Sequence, residues 1–208
     1  MLKHLLFFLL FSCTALAVER GPTYEALTAE EKQMLDTGLE AGSLPSLCPR
    51  TREFAEKARW SGHAGNLKAD YILIDKKRRS LHLLSREQVL ATYRIALGGN
   101  PSGDKVSEGD QRTPEGLYFI DLKNQKSDYH LSLRISYPSP RDIGEAQKRG
   151  VRDPGKDIMV HGLPNSWLHR KFARHPRDWT KGCMAVTDSE IEDIFASVDL
   201  GTLIEICP

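Results

Sequence analysis

Asp70-Tyr71-Ile72-Leu73-Ile74-Asp75, then Lys76-Lys77-Arg78-Arg79, then Ser80-Leu81-His82-Leu83-Leu84, is the stretch where the chain changes period. Two short apolar runs around a charged turn read as two strands, Tyr71–Ile74 and Ser80–Leu84. Val89, Ala91, Tyr93, Ile95 and Leu97 alternate with Leu90, Thr92, Arg94 and Ala96, which predicts a third strand. Gly98 to Gly116 is a long loop rich in Gly, Pro and Asp, and Leu117–Leu122 and Tyr129–Tyr137 are further strands. Pro140–Gly150 reads as a polar helix, and Asp157-Ile158-Met159-Val160 as a short buried strand running into His161. Ser166–His175 and Asp188–Ser197 read as helices, the second with Asp188 as N-cap, and Leu203-Ile204-Glu205-Ile206 as a closing strand. Short strands, long loops and no regular βα alternation predict a mostly-β sandwich or barrel rather than a parallel α/β sheet.

Upstream of Asp70 the pattern is helical. Thr28-Ala29-Glu30-Glu31 forms a capping box that opens a helix to about Leu39, with Gly42 as its stop. A second helix is expected from Pro49, a first-turn proline, to Trp60, before Gly62 and Gly65 open a turn-rich break. The reading is a small α-helical N-terminal segment over 18–66 and a mostly-β domain over 67–208. Residues 1–17 carry Lys3, an apolar run from Leu5 to Phe11 and the cleavage pattern Ala15-Leu16-Ala17, the three parts of a secretory signal peptide. A rival reading takes Leu10-Phe11-Ser12-Cys13 as a lipoprotein signal with Cys13 acylated, against which the bulky Phe11 counts. No later segment has the ~20 apolar residues that a membrane span takes.

The chain holds 29 Lys+Arg and 28 Asp+Glu, and loss of Lys3 with the signal leaves 28 of each. A nonspecific nucleic-acid footprint needs a basic excess, so that class is excluded. Roughly 190 residues suffice for one buried core with a small appendage. Of four cysteines, Cys13 lies in the signal, and an odd set of three in an exported chain leaves one thiol outside any intramolecular pair. Cys48 and Cys207 each precede a proline, flank the main domain and lack a polar catalytic neighbourhood. They are expected to pair, and a bridge closing so long a loop contributes on the order of 4–5 kcal/mol in the chain-entropy account. Cys183 is then the free thiol.

Cys183 lies in Thr180-Lys181-Gly182-Cys183, with His161-Gly162 upstream. A thiolate is a strong nucleophile and an imidazole can take its proton. Gly182 permits a sharp turn that aims backbone N–H groups at the oxygen of a tetrahedral intermediate. Thr180 can bond the turn or the base, and the Gly162 carbonyl can orient the imidazole. Nucleophile, base, orienter and oxyanion donors together suit acyl transfer. Taken singly, a cysteine after glycine is more often a small buried residue, and a strand-end histidine is more often a satisfied structural one.

Three ordered blocks resemble the L,D-transpeptidase catalytic domain (YkuD) family over roughly Asp70 to Ile206: Gly109-Asp110-Gln111-Arg112-Thr113-Pro114-Glu115-Gly116, Gly155-Lys156-Asp157-Ile158-Met159-Val160-His161-Gly162 and Thr180-Lys181-Gly182-Cys183. The resemblance implies a mostly-β catalytic domain with Cys183 as nucleophile and His161 as general base. It implies attack on the amide after meso-diaminopimelate in a peptidoglycan tetrapeptide stem, expulsion of D-alanine, and a thioester. The thioester then passes to an amine on a second stem or a lipoprotein, giving a transpeptidase, or to water, giving a carboxypeptidase or endopeptidase. A non-catalytic cell-wall-binding protein is the third reading, against which the intact His161 and Cys183 count. The chain departs from the common pattern at Lys181, where a second histidine is frequent, at Ala185 for arginine and at Asp188 for asparagine.

The candidate catalytic residues are Cys183, His161, Gly162 and Gly182, and the candidate substrate-binding residues are Thr180, Lys181 and Trp179. The Ser166–Asp178 segment, with Trp167, Arg170, Lys171, Arg174 and Arg177, reads either as a basic lid for stem carboxylates or as a solvated helix. No cofactor is expected, nor a metal, since His169 and His175 with His161 and Cys183 fit no standard zinc spacing. The Gly98–Gly103 run lacks the context of a phosphate loop. His63, His82 and His130 have no identifiable partner in the sequence, and Tyr137 is expected to pack rather than to line the cleft.

Overall fold

The structure is a computed structural model that describes residues 19–20, 29, 46–58, 64–65, 67–171, 173 and 177–208. The expected signal (1–17) and first helix (28–39) lie outside the described residues, Ala29 excepted. Strands are β1 Glu19–Arg20, β2 Ala69–Asp75, β3 Ser80–Ser85, β4 Gln88–Arg94, β5 Gly116–Ser127, β6 His130–Ile135, β7 Met159–His161, β8 Met184–Ala185 and β9 Val198–Cys207. Helices are α1 Thr51–Glu56, entered through a 3₁₀ turn at Cys48–Arg50, α2 Pro140–Lys148, α3 Trp167–Arg170 and α4 Asp188–Ser197.

These strands form one mixed sheet in the order β4-β3-β2-β9-β5-β6-β7-β8, with β1 paired to β5. The long β5 joins its halves: Gly116–Phe119 pair with β9, whereas Ile120–Ser127 pair with β6. The β2–β9 and β7–β8 pairs are parallel and the others antiparallel. The sheet curls until its two ends meet, where Ala96, just past β4, exchanges both backbone hydrogen bonds with Ala185 of β8 at 2.8 Å. The expected third strand therefore stops at Arg94 rather than Leu97. Its last residues leave β3 to close the curl.

Continuous apolar runs in β2 and β3 follow from burial on both faces. Ile72, Ile74, Leu81 and Leu83 face the main core, which also takes Ile191 and Ile194 of α4. Leu73, Leu84 and Val89 face outward, where Leu47, Phe54 of α1 and the Cys48–Cys207 disulfide cover them. The expected pairing is present, with an S–S distance of 2.05 Å. Beside it the buried Glu205 accepts hydrogen bonds from Ser46 Oγ, the Leu47 amide and Tyr71 Oη.

Other boundaries moved for local reasons. The second helix is α within Thr51–Glu56, and Trp60 lies outside the described residues. Asp157 is exposed with φ 56°, so the strand before His161 begins at Met159. The Ser166–His175 helix is described only as the short α3. Thr187, not Asp188, caps α4, in a capping box closed by Glu190. Lys123 Nζ caps the other end of α4 by donating to the Phe195 and Val198 carbonyls at 2.7 Å.

Candidate active site

The sheet closes where the three sequence blocks meet. Gly99 N donates to the Thr180 carbonyl at 3.0 Å, Thr180 N to Leu97 at 3.1 Å, and Gly98 N to Thr113 Oγ1 at 3.2 Å. The chains touch backbone to backbone. A Cβ on Gly98 would lie 2.1 Å from the Gln111 carbonyl oxygen, and one on Gly182 2.6 Å from that of Arg112. Gly182 also has φ 135°, a conformation that side chains disfavour, so glycine is required there on two counts.

Thr180 fixes the turn, as one of the two expectations for it held. Its Oγ1 donates to the Cys183 carbonyl at 2.7 Å and accepts from Gly182 N at 3.1 Å. That engages the Gly182 amide, which the sequence reading had made available to an oxyanion. Cys183, the free cysteine among the described residues, is half-buried just before β8, and its Sγ donates to the Asp157 carbonyl at 3.7 Å.

In the parallel β7–β8 pair, Val160 faces Met184 and His161 faces Ala185. Side chains alternate across a strand, so this register turns His161 and Cys183 to one face. His161 Nδ1 lies 2.7 Å from the Gly162 carbonyl. A carbonyl only accepts, so Nδ1 carries the proton and Nε2 keeps the basic lone pair. Gly162 is tightly enclosed, since a Cβ there would approach Asp188 Oδ1 and Ile191 Cγ2 at 2.9 Å. The imidazole is flanked by Tyr129, ring centroids 4.4 Å apart, and by Trp179, edge-on at 5.9 Å.

His161, Cys183, Tyr129, Trp179, Thr180 and Lys181 line one cavity of about 610 Å³. Burial pushes His161 down to about 4, partly opposed by its bond to Gly162. Burial pushes the Cys183 thiol up to about 11, helped by the Asp157 charge and opposed by the Met159 amide and the Lys105 charge. Burial thus disfavours the charged form of both groups. The thiol bonds the Asp157 carbonyl rather than the imidazole, and both groups line the same cavity, an arrangement that suits general-base chemistry.

The L,D-transpeptidase catalytic domain model, YkuD, matches residues 69–206. The chain belongs to the YkuD L,D-transpeptidase family. It is 28% identical over 163 residues to YafK, an L,D-transpeptidase homologue of Escherichia coli strain K12, covering 76% of this chain and 55% of that one. The chain thus spans about half the length of the curated relatives it matches. In fold it is similar to the helical cell shape determining protein Pgp2 of Campylobacter jejuni, with TM-score 0.52 and 21% identity over 77% of this chain and 56% of that one. The K307A mutant of Pgp2 gives TM-score 0.52 and 24% identity, covering 74% of this chain and 52% of that one.

The positions that depart from the common YkuD pattern have identifiable contacts. Ala185 is fully buried and forms the backbone bridge to Ala96 that closes the sheet. Asp188 receives the Leu163 amide at 2.9 Å and pairs with Arg170, so it ties α3 to the loop after His161. Arg170 is therefore spent within the fold rather than offered to a ligand. Lys181 is exposed at the cavity rim. Lys171 stacks over the exposed Trp167 at 4.7 Å, and Arg174 and His175 lie outside the described residues. His169 lines the cavity, but the described residues bring no cluster of metal-ligating side chains there.

Tyr129 was read from sequence only as a strand residue. Its proximity to His161 depends on the β6–β7 pairing, and no local pattern announces it. His82 does have partners, Ser80 Oγ and Thr92 Oγ1, each at 3.0 Å, and His130 pairs with Glu192 at 2.7 Å. His63 lies outside the described residues. Tyr137 packs as expected, edge-on to Tyr118 and bonded to the Pro154 carbonyl at 2.8 Å.

Proposed function

We propose that this protein is an exported, cysteine-dependent peptidoglycan L,D-transpeptidase, with residues 1–17 as its signal and 67–208 as its catalytic domain. The observation that carries the reading is the free thiol of Cys183 sharing a cavity with a buried His161 whose Nδ1 is fixed on the Gly162 carbonyl. Cys183 Sγ attacks the carbonyl carbon of the amide that joins meso-diaminopimelate to D-alanine in a tetrapeptide stem while His161 Nε2 takes the thiol proton. The Cys183 amide, next along from the engaged Gly182 amide, donates to the oxyanion. His161 returns the proton to the departing D-alanine amine and leaves a thioester. An amine of a second stem, or of a lipoprotein, then attacks the thioester, loses its proton to Nε2 and restores the thiol. Trp179, Lys181 and Tyr129 contact the stem at the cavity wall.

The test is incubation of the full chain with purified muropeptides, with products read by mass. Crosslinked dimers support the proposal. Trimmed tripeptides or split dimers would move the acceptor to water, and unchanged substrate would overturn acyl transfer altogether. A Cys183→Ala variant as active as wild type would remove the thiol from the mechanism.

A further inference from the structure

Lys105 lies in the loop before the Gly109–Gly116 block, and its side chain is only 2% exposed. Its ammonium donates to Asp110 Oδ1 at 2.8 Å and to the Ser107 carbonyl at 3.0 Å. Asp110 in turn accepts from the Val106, Ser107 and Arg112 amides at 2.8, 3.1 and 2.9 Å. One carboxylate thus fixes the loop whose Arg112 carbonyl packs on Gly182. The stem of Lys105 reaches the other side of the site. A Cβ on Gly155 would lie 3.1 Å from Lys105 Cε and 2.5 Å from Glu108 Oε2, and the segment from Gly155 leads to Asp157, whose carbonyl meets the thiol. Lys105 therefore stands between the two segments that hold Cys183.

A buried ammonium is expensive unless paired and hydrogen-bonded. A loop of this kind can be organised by neutral groups alone, so a charge kept here invites a role for the charge. We propose that Lys105 is a positioning residue for the Cys183 chemistry: held by Asp110, it braces both flanks of the thiol and presents a positive charge to the sulfur as negative charge develops there. Among the charges acting on the sulfur, Lys105 favours its ionised form and Asp157 opposes it. Other charged or titratable groups near the pair are Glu108, Arg112, Lys181 and His161. The proposal rests on Cys183 being the nucleophile, and it extends that reading to a residue outside the cavity wall.

The test reads the thiol itself, without peptidoglycan. Iodoacetamide alkylation of Cys183 in the full chain is followed by mass from pH 7 to 10.5, for wild type, Lys105→Gln and Lys105→Arg. Gln keeps a donor for Asp110 without the charge, and Arg keeps the charge. The expected result is a three- to tenfold slower alkylation at pH 9 for Lys105→Gln, with Lys105→Arg within about twofold of wild type. Superimposable profiles for all three folded proteins would overturn the proposal. Should the Gln variant not fold, wild type decides. A positive charge at the sulfur raises the iodoacetate-to-iodoacetamide rate ratio severalfold over that of a small free thiol, measured in a Lys181→Gln background to remove the rim cation. An unchanged ratio would overturn the proposal as well. Failure with muropeptides alongside the expected alkylation pattern would sink the functional reading and leave the electrostatic one standing.

Discussion

His82 on β3 and His161 at the end of β7 are 0% and 4% exposed, and burial pushes both down to about 4. The difference lies in their nitrogens. His82 has both engaged, by Ser80 and Thr92, in the middle of the β3–β4 pair. His161 has one engaged, by a carbonyl that fixes its tautomer, while its ring lines a cavity shared with a free thiol. Desolvation alone therefore does not distinguish the two histidines. A nitrogen left without a partner among the described residues, beside a cavity, does.

The largest expected effect of that difference is on His161→Gln, which keeps a polar side chain of similar reach but no titratable base. Acyl-enzyme formation should fall by about 10²–10⁴-fold, read by mass on the stem thioester. Equilibrium unfolding in urea should change little beside that. A variant retaining acylation would make His161 another satisfied histidine and erase the comparison.

The next effect concerns pH. Each histidine has a folded pKa below its unfolded value near 6.5, so the folded state binds fewer protons in between. Their stabilisation is fully present above about pH 6.5 and is lost as pH falls through about 4. Each contributes up to about 3 kcal/mol over that window. Buried carboxyls at Asp104, Asp121 and Asp142 are shifted upward and act in the opposite sense. The test is therefore a difference: urea unfolding of wild type against His82→Leu at pH 7 and pH 4.5. The variant should lose less stability on acidification than wild type. Equal losses would mean that His82 is charged in the fold.

How far such distinctions were legible in the sequence depended on how local their causes were. The period change at Asp70, the polar helix start before α4 and the Gly-Cys turn are local, and each led to a correct element or junction, although the cap of α4 is Thr187 and not the expected Asp188. The Cys48–Cys207 pair followed from counting cysteines in a chain read as exported. The sheet closure at Ala96–Ala185 was not visible, because alternation through Leu97 looks the same whether a strand continues or crosses to a new partner. The partners of His82 were missed although Ser80 is two residues away, since only the β3–β4 register brings Thr92 opposite. At the site, the residue types were readable but their division of labour was not. Thr180 spends the Gly182 amide, and Asp188 serves the loop rather than the helix cap.

At pH 7, His82→Leu isolates the structural half of the comparison. It leaves Ser80 Oγ and Thr92 Oγ1 without their ring partner in a dry core, at a cost of about 1–3 kcal/mol, read from the urea midpoint. Acylation should stay within about twofold, because His82 does not line the Cys183 cavity.

Thr92→Val is the finest probe. Valine nearly matches threonine in shape, so the substitution removes the hydroxyl from His82 Nδ1 with little change in the packing of a fully buried site. The expected loss is about 1 kcal/mol or somewhat more, and His82 still holds Ser80 through Nε2. A neutral histidine has one donor and one acceptor nitrogen, so the outcome depends on which of them faced Thr92. If Nδ1 was the acceptor, the ring can change tautomer only by making Nε2 the acceptor, and the Ser80 hydroxyl can turn to donate. Keeping its tautomer is then the better course, because a lone pair left unpaired costs less than a ring N–H left unpaired, and the loss stays near the lower end. A Thr92→Val protein as stable as wild type, with an unaltered histidine NMR titration, would show that His82 is held by enclosure rather than by its two hydroxyls, and the contrast with His161 would then rest on the cavity alone.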